Sequence, residues 1–208
     1  MESNLGYRPG VSKEVFACLE DEQVNVYRDL CKQLVLPEVA KGQPDVIGIS
    51  IGTQMQLLAG LTFAKLIKES FPGIHVVVGG NIITRLQEDL VHHERFFTEV
   101  FDSAILYEGE HALLWLIEAL NGQRPITSVP NLIYRDTSGL HRNSEVYTEK
   151  TQSLPLPDFD GMPLDRYFVP ELIIPYLATR GCYWGRCTFC AHGQGYFDQY
   201  RGLPAQLV

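Results

Sequence analysis

Two short apolar runs, 45–51 (DVIGISI) and 74–79 (IHVVVG), limit what this chain can fold into. Each is nearly continuous rather than alternating, the pattern of a strand buried on both faces of a parallel sheet. Between them, after the polar turn Gly52-Thr53-Gln54, lies 55–70, MQLLAGLTFAKLIKES, closed by Pro72-Gly73. Its apolar residues run almost all the way round, so length and composition rather than amphipathicity mark it as a helix. Strand, helix and strand within about 35 residues make a βαβ unit with a right-handed crossover.

The pattern continues on the carboxyl side. A short helix is expected near 82–90, an amphipathic one over 91–101, and a third strand at 103–107, SAILY. Glu108-Gly109-Glu110 then turns into a helix over 111–120, with Leu113, Leu116, Ile117 and Leu120 on one stripe. Upstream of 45 the chain reads as a polar lead-in and two helices, near 12–20 and 24–41. In the second of these, Val26, Leu30 and Leu34 recur at helical spacing. No strand of the buried kind precedes residue 45, as though the first strand of the sheet were missing and the chain began inside the domain. Residues 129–142 carry a β-hairpin turning at Asp136 to Gly139. Four prolines in 153–170 mark an extended linker, and 171–179 reads as a strand leading into a cysteine-rich loop. The expected organisation is an α/β domain with a doubly wound parallel sheet over 1–150, a linker over 151–170, and the start of a second domain over 171–208.

Composition narrows the function classes. The formal net charge is −8 and no basic cluster occurs, which argues against nucleic-acid binding. No apolar run reaches the roughly 18 residues of a membrane span, and the amino terminus MESNLGYRPG lacks the basic and apolar regions of a signal peptide. A cytoplasmic, reducing location is the expectation. Cys18 and Cys31 stand alone in helical surroundings and read as ordinary buried thiols. The trio His92, His93 and Glu94 suggests a metal site, but adjacent helical histidines point to different sides, so a solvated face is the simpler reading.

A doubly wound sheet binds ligands beyond the carboxyl ends of its strands. Three such ends are visible: Ser50-Ile51-Gly52-Thr53-Gln54, Gly79-Gly80-Asn81 and Glu108-Gly109-Glu110. Paired glycines let backbone come close to a bulky ligand. Hydroxyls at Ser50 and Thr53, and free helix-start amides, offer polar contacts or a phosphate seat. The same glycines also serve as plain turn residues.

The second site is 178–192, ATRGCYWGRCTFCAH. Cys182, Cys187 and Cys190 fall within nine residues, and three crowded sulfur donors suit a soft metal centre. A cluster or a zinc ion usually takes four ligands. One reading is a four-iron–four-sulfur cluster with one iron left open. The other is zinc completed by His192. Free thiols are the bland alternative, and a disulfide is disfavoured in a chain without secretory marks.

TRGCYWGRCTFC resembles the cluster loop of radical S-adenosylmethionine enzymes, with one residue more than the usual Cys-x3-Cys-x2-Cys in its first gap. The resemblance implies that Cys182, Cys187 and Cys190 hold the cluster, that S-adenosylmethionine binds the remaining iron, and that Phe189 packs against that cofactor. Residues 45–121 are similar to the cobalamin-binding domain that precedes the radical domain in one large subfamily. What matches is a strand ending in a small hydroxylic residue, Gly-Gly after the next strand, and a Gly-Glu pair opening the last helix. By that resemblance Ser50, Gly52, Thr53, Gln54, Gly79, Gly80, Asn81, Glu108, Gly109 and Glu110 surround cobalamin. No Asp-x-His-x-x-Gly occurs, so no histidine is placed to bind cobalt from below. The implied whole is the front portion of a cobalamin-binding radical S-adenosylmethionine enzyme, a Rossmann-like domain followed by the first strand and loop of a (β/α) barrel. It would need an external electron donor and act on a small molecule or peptide, with methyl transfer as one outcome. A barrel needs several strand ends to assemble its catalytic face, so this stretch alone is not expected to turn over.

Overall fold

The computed structural model describes residues 5–174, 176–190, 192 and 199–204. The chain divides into two compact units, Met1–Tyr147 and Thr148–Val208.

The first unit opens with α1 (Ser12–Glu20). A helical stretch comes next, made of α2 (Val26–Leu30), a π-helical segment Cys31–Val35 and α3 (Leu36–Gly42). The sheet unit then runs β1 (Val46–Ser50), α4 (Gln54–Ser70), β2 (His75–Gly79), the short helices α5 (Asn81–Arg85), α6 (Gln87–Leu90) and α7 (Glu94–Glu99), β3 (Ser103–Ile105) and α8 (Glu110–Leu120). A hairpin of β4 (Leu132–Asp136) and β5 (Gly139–Arg142) closes it.

The strands lie in the order β1-β2-β3-β4-β5. The first three are parallel, with Val46 opposite His75 and Val77 opposite Ser103. β4 runs antiparallel to β3 and β5 antiparallel to β4, turning at Asp136 and Gly139 as the sequence predicts. The sequence shows that hairpin but not that it joins the sheet; joining makes the sheet mixed. It does so because β4 is buried on both faces: Leu132, Ile133 and Tyr134 are at most 4% exposed.

Alternation along the strands splits the core in two. Val76, Val78, Ala104 and Ile133 pack with α1, α4 and α5–α7, while Val77, Ile105, Leu132 and Tyr134 pack with Ala112 and Leu116 of α8. Neighbouring parallel strands joined by right-handed crossovers put their helices on one face, and α8 covers the other. The result is a three-layer α/β unit. β1 lies at the outer edge of the sheet.

Two helical faces differ from expectation. Val26, Leu30 and Leu34, expected to form the stripe, are 56%, 44% and 63% exposed, whereas Asn25, Cys31 and Val39 are buried. On α8, Leu116 is buried but Ile117 and Leu120 face outward, and Ala112 takes their place in the core.

The second unit holds β6 (Thr179–Arg180) paired antiparallel with β7 (Arg201–Gly202). The strand expected over 171–179 is realised only at its last residue. Among the described residues 171–174 and 176–178 pair with no strand; Pro175 lies outside them. A strand needs a neighbour to take its amides, and among the described residues of this stretch β7 offers one only to 179–180.

Candidate functional site

The carboxyl ends of β1, β2 and β3 form one continuous ledge. Its centre is Ile51, fully buried just past β1. The Ile51 N–H donates to the Gly79 carbonyl at 2.8 Å, and the Ile51 carbonyl accepts from Ile82 N–H at 3.2 Å. The turn after β2 thus wraps around the end of β1. Gly80 makes this possible, with φ +98° and a backbone so close that a Cβ would lie 2.5 Å from the Ile51 oxygen. Gly79 meets the next strand, where its Cβ would stand 3.3 Å from the Ile105 carbonyl. The paired glycines therefore serve first to let three strand ends close on one another.

Ser50, Gly52, Thr53, Gln54 and Asn81 line the rim and are exposed. No ionisable side chain occurs in 50–56 or 79–84. The start of α4 is already capped: Gln56 Oε1 accepts the Gly52 and Thr53 N–H groups at 3.0 and 3.1 Å. These two amides precede the helix, and within its first turn the Gln56 N–H donates to the Thr53 carbonyl at 3.1 Å. The third loop brings the acids. Glu108 is 4% exposed and Glu110 is exposed at the start of α8. The Glu108 carbonyl accepts from Asn131 Nδ2 at 3.2 Å.

Several residues that shape the ledge carry no sequence signal. Thr84 Oγ1 accepts the Tyr107 N–H at 2.7 Å, and the Tyr107 hydroxyl donates to Gln87 Oε1 at 3.0 Å. Tyr107 is held at φ +57° and Asn131 at φ +61°, left-handed conformations that non-glycine residues rarely take. Asn131 clamps the segment after the hairpin, donating to the Tyr147 carbonyl and accepting its N–H. Leu106, Tyr107, Asn131, Arg142, Asn143 and Val146 line a cleft of about 300 Å³ at this same end of the sheet.

The cysteine loop is described within the second unit. Gly181 (φ +79°) and Gly185 (φ +59°) shape the turns on either side of Cys182. The backbone N–H groups of Gly185 and Trp184 point at the Cys182 sulfur and hold its thiol below the ordinary value. Cys190 N–H donates to the Cys187 carbonyl at 3.1 Å, and His192 N–H approaches the Cys190 sulfur at 3.5 Å. Cys187 and Cys190 are exposed, and Phe189 is 90% exposed between them. Amides aimed at sulfur suit a thiolate-ligated metal group, so the donor chemistry fits one. Among the described residues, though, no three His, Cys, Asp or Glu side chains converge closely enough to hold a metal ion. His92, His93 and Glu94 are exposed. Among the described residues no helix is long and apolar enough to cross a membrane.

No family model matches the chain. It is 27% identical over 198 residues, 91% of its length, to an uncharacterized methyltransferase of Pyrococcus horikoshii. It is 29% identical over 164 residues, 75% of its length, to the 4'-phospho-dehydrooxetanocin synthase of Priestia megaterium. The chain spans 41% and 21% of the lengths of these two relatives. Structures of the cobalamin-dependent S-adenosylmethionine radical enzyme OxsB align closely at 22% identity. With aqua-cobalamin and S-adenosylmethionine bound the match covers 92% of this chain and 27% of that one, TM-score 0.67. With aqua-cobalamin alone it covers 85% and 24%, TM-score 0.64. The α/β fold expected from the sequence is thus met, and it is that of the corresponding part of this enzyme.

Proposed function

We propose that the chain is the front portion of a cobalamin-dependent radical S-adenosylmethionine protein. The observation that carries this is the presence, in one chain, of the crevice fold and of three thiols within nine residues with backbone amides directed at two of their sulfurs. The names of the similar proteins support it, since they include a methyltransferase, a synthase and a cobalamin-dependent radical enzyme.

In this reading Cys182, Cys187 and Cys190 supply thiolates to a four-iron–four-sulfur cluster. Trp184 and Gly185 N–H groups stabilise the charge on the first of them, and Phe189 offers a flat face that shields the bound cofactor from water. When bound, the cluster supplies the electron for reductive cleavage of S-adenosylmethionine, and cobalamin supplies a carrier for a methyl group. The ledge at Ile51, Gly79 and Gly80 is a fixed floor. Ser50, Gly52, Thr53, Gln54 and Asn81 form an uncharged polar rim suited to the amide side chains of a corrin, with Glu108, Gly109 and Glu110 at its far end. Methyl transfer, an external electron donor, a small-molecule or peptide substrate and a cytoplasmic setting complete the proposal.

The test is anaerobic incubation of the chain with iron and sulfide, then titration with hydroxocobalamin. A broad absorbance in the visible blue that Cys187→Ser removes, together with a saturable cobalamin spectrum, is expected. Stoichiometric zinc held by the three cysteines and His192, with no cluster formed, overturns the proposal in favour of a non-catalytic binding module.

A further inference from the structure

The five cysteines are free and fall into two classes. Cys18 and Cys31 are fully buried, and burial pushes both thiols up to about 11. They are shut off from reagents in the folded chain. The other three belong to the loop, where the backbone treats them unequally. Cys182 sits in its own turn, with the Trp184 and Gly185 amides on its sulfur. Cys187 and Cys190 are the two ends of one tight turn, closed by the Cys190 N–H on the Cys187 carbonyl at 3.1 Å. A four-residue turn closed in this way brings its end Cα atoms within about 7 Å. A disulfide needs roughly 4.4–6.8 Å between Cα atoms. Both thiols are exposed, so a small oxidant can reach either.

We propose that Cys187 and Cys190 are a redox-sensitive dithiol that closes to a disulfide whenever no metal holds the loop, with Cys182 outside that bond. The oxidant is a small disulfide such as oxidised glutathione. One protein thiolate attacks a sulfur of that molecule and releases one equivalent of its thiol. The second protein thiolate attacks the resulting mixed disulfide at the protein sulfur and releases the other. The protein loses two electrons and two protons as two thiols become one disulfide, and the small disulfide gains them as two thiols. The consequence is that loading of the loop requires prior reduction. The assignment does not depend on which metal the loop takes.

Trypsin makes the test direct. It cuts after Arg180, Arg186 and Arg201, leaving Cys182 in peptide 181–186 and both other loop cysteines in peptide 187–201. The whole chain, stripped of metal, is treated with oxidised glutathione, alkylated with iodoacetamide while folded, digested and weighed. The expected result is peptide 187–201 unalkylated and lighter by two hydrogens, with Cys182 in no protein cross-link and either alkylated or carrying one glutathione. In Cys190→Ser, Cys187 is expected to retain one glutathione. Alkylation of both Cys187 and Cys190, a cross-link between the two peptides, or an unmodified Cys187 in that variant each overturns the proposal. Because only metal-free protein is used, such a failure leaves the cluster reading standing, and failure of cluster formation in reduced protein leaves this one standing.

Discussion

Gly80 and Ile51 occupy the same point of the ledge: a Cβ on Gly80 would fall 2.5 Å from the Ile51 carbonyl oxygen and 2.8 Å from its nitrogen. Both contacts are backbone, which cannot swing aside. The φ of +98° adds strain for any L side chain. Gly80→Ala is therefore expected to destabilise the first unit by about 3 kcal/mol, the sum of a strained dihedral and an overpacked contact. Urea denaturation of the variant against the parent measures it. A loss below about 0.5 kcal/mol, the scale of an ordinary surface change, is the result that contradicts this account of the turn.

Asn25 is the polar hinge of the helical layer. It is 2% exposed, and its amide donates to the Cys18 carbonyl and to Thr62 Oγ1, both at 2.9 Å. Its oxygen accepts the Tyr27 N–H at 3.2 Å, capping α2. One side chain thus ties α1, α2 and α4 together. Asn25→Ala leaves the helix-start amide of Tyr27 without its cap, removes one of the two donors on the Cys18 carbonyl, which keeps the Asp21 N–H at 3.2 Å, and opens a gap in the core, so about 2 kcal/mol is expected to be lost. Denaturant midpoints decide it, and Thr62→Val, which removes one of the three bonds, is expected to cost less.

At the opposite end of the sheet, His75 Nε2 lies 2.7 Å from Ser103 Oγ. Lys68 and Asp102 form an ion pair beside it, and Asp102 also takes the Val76 N–H. Burial lowers the His75 pKa below its ordinary 6.5, with Asp102 opposing and Lys68 assisting. A histidine with a lowered folded pKa binds fewer protons folded than unfolded within that window. Its contribution is fully present above about 6.5 and is lost as pH falls below that value toward the folded pKa. Melting temperature is expected to drop between pH 7 and pH 5, and the slope to flatten in His75→Gln. An unchanged slope in the variant contradicts the assignment.

The strands were legible because burial on both faces writes a continuous apolar run, and the hairpin because Asp136-Thr137-Ser138-Gly139 can only turn. The helical faces were less so. On 26–42 the apolar spacing of Val26, Leu30 and Leu34 points to one stripe, yet the core takes Cys31 and Val39. The π segment Cys31–Val35 adds a residue to one turn and rotates the downstream side chains by about 100°. Asn25 meanwhile fixes the start of the helix by hydrogen bonds that no hydrophobic pattern records. α8 is apolar on most sides, so its periodicity could not choose Ala112 over Ile117. At the site, the cysteine trio was visible from spacing alone. Thr84 and Tyr107 were not, because their bond joins residues 23 apart and exists only once β2 and β3 are neighbours.

The rim of the ledge separates ligand binding from stability, and so tests the function apart from the fold. Gly52 differs from Gly80 in having room: its Cβ would meet only the Gln56 side-chain oxygen, at an ordinary 3.5 Å. Gln54 and Asn81 are exposed beside it. Gly52→Ala, Gln54→Ala and Asn81→Ala are each expected to change stability by no more than about 0.5 kcal/mol, as exposed substitutions do. If this rim faces a corrin, every added or removed atom there alters a contact with the ligand. A lost hydrogen bond or a steric shift of about 1–1.5 kcal/mol corresponds to roughly a tenfold weaker complex. Hydroxocobalamin titration of the three variants, each checked first for a parental melting temperature, is expected to show that weakening in at least two. Parental affinity in all three, with parental stability, would place cobalamin somewhere other than the carboxyl ends of β1 and β2.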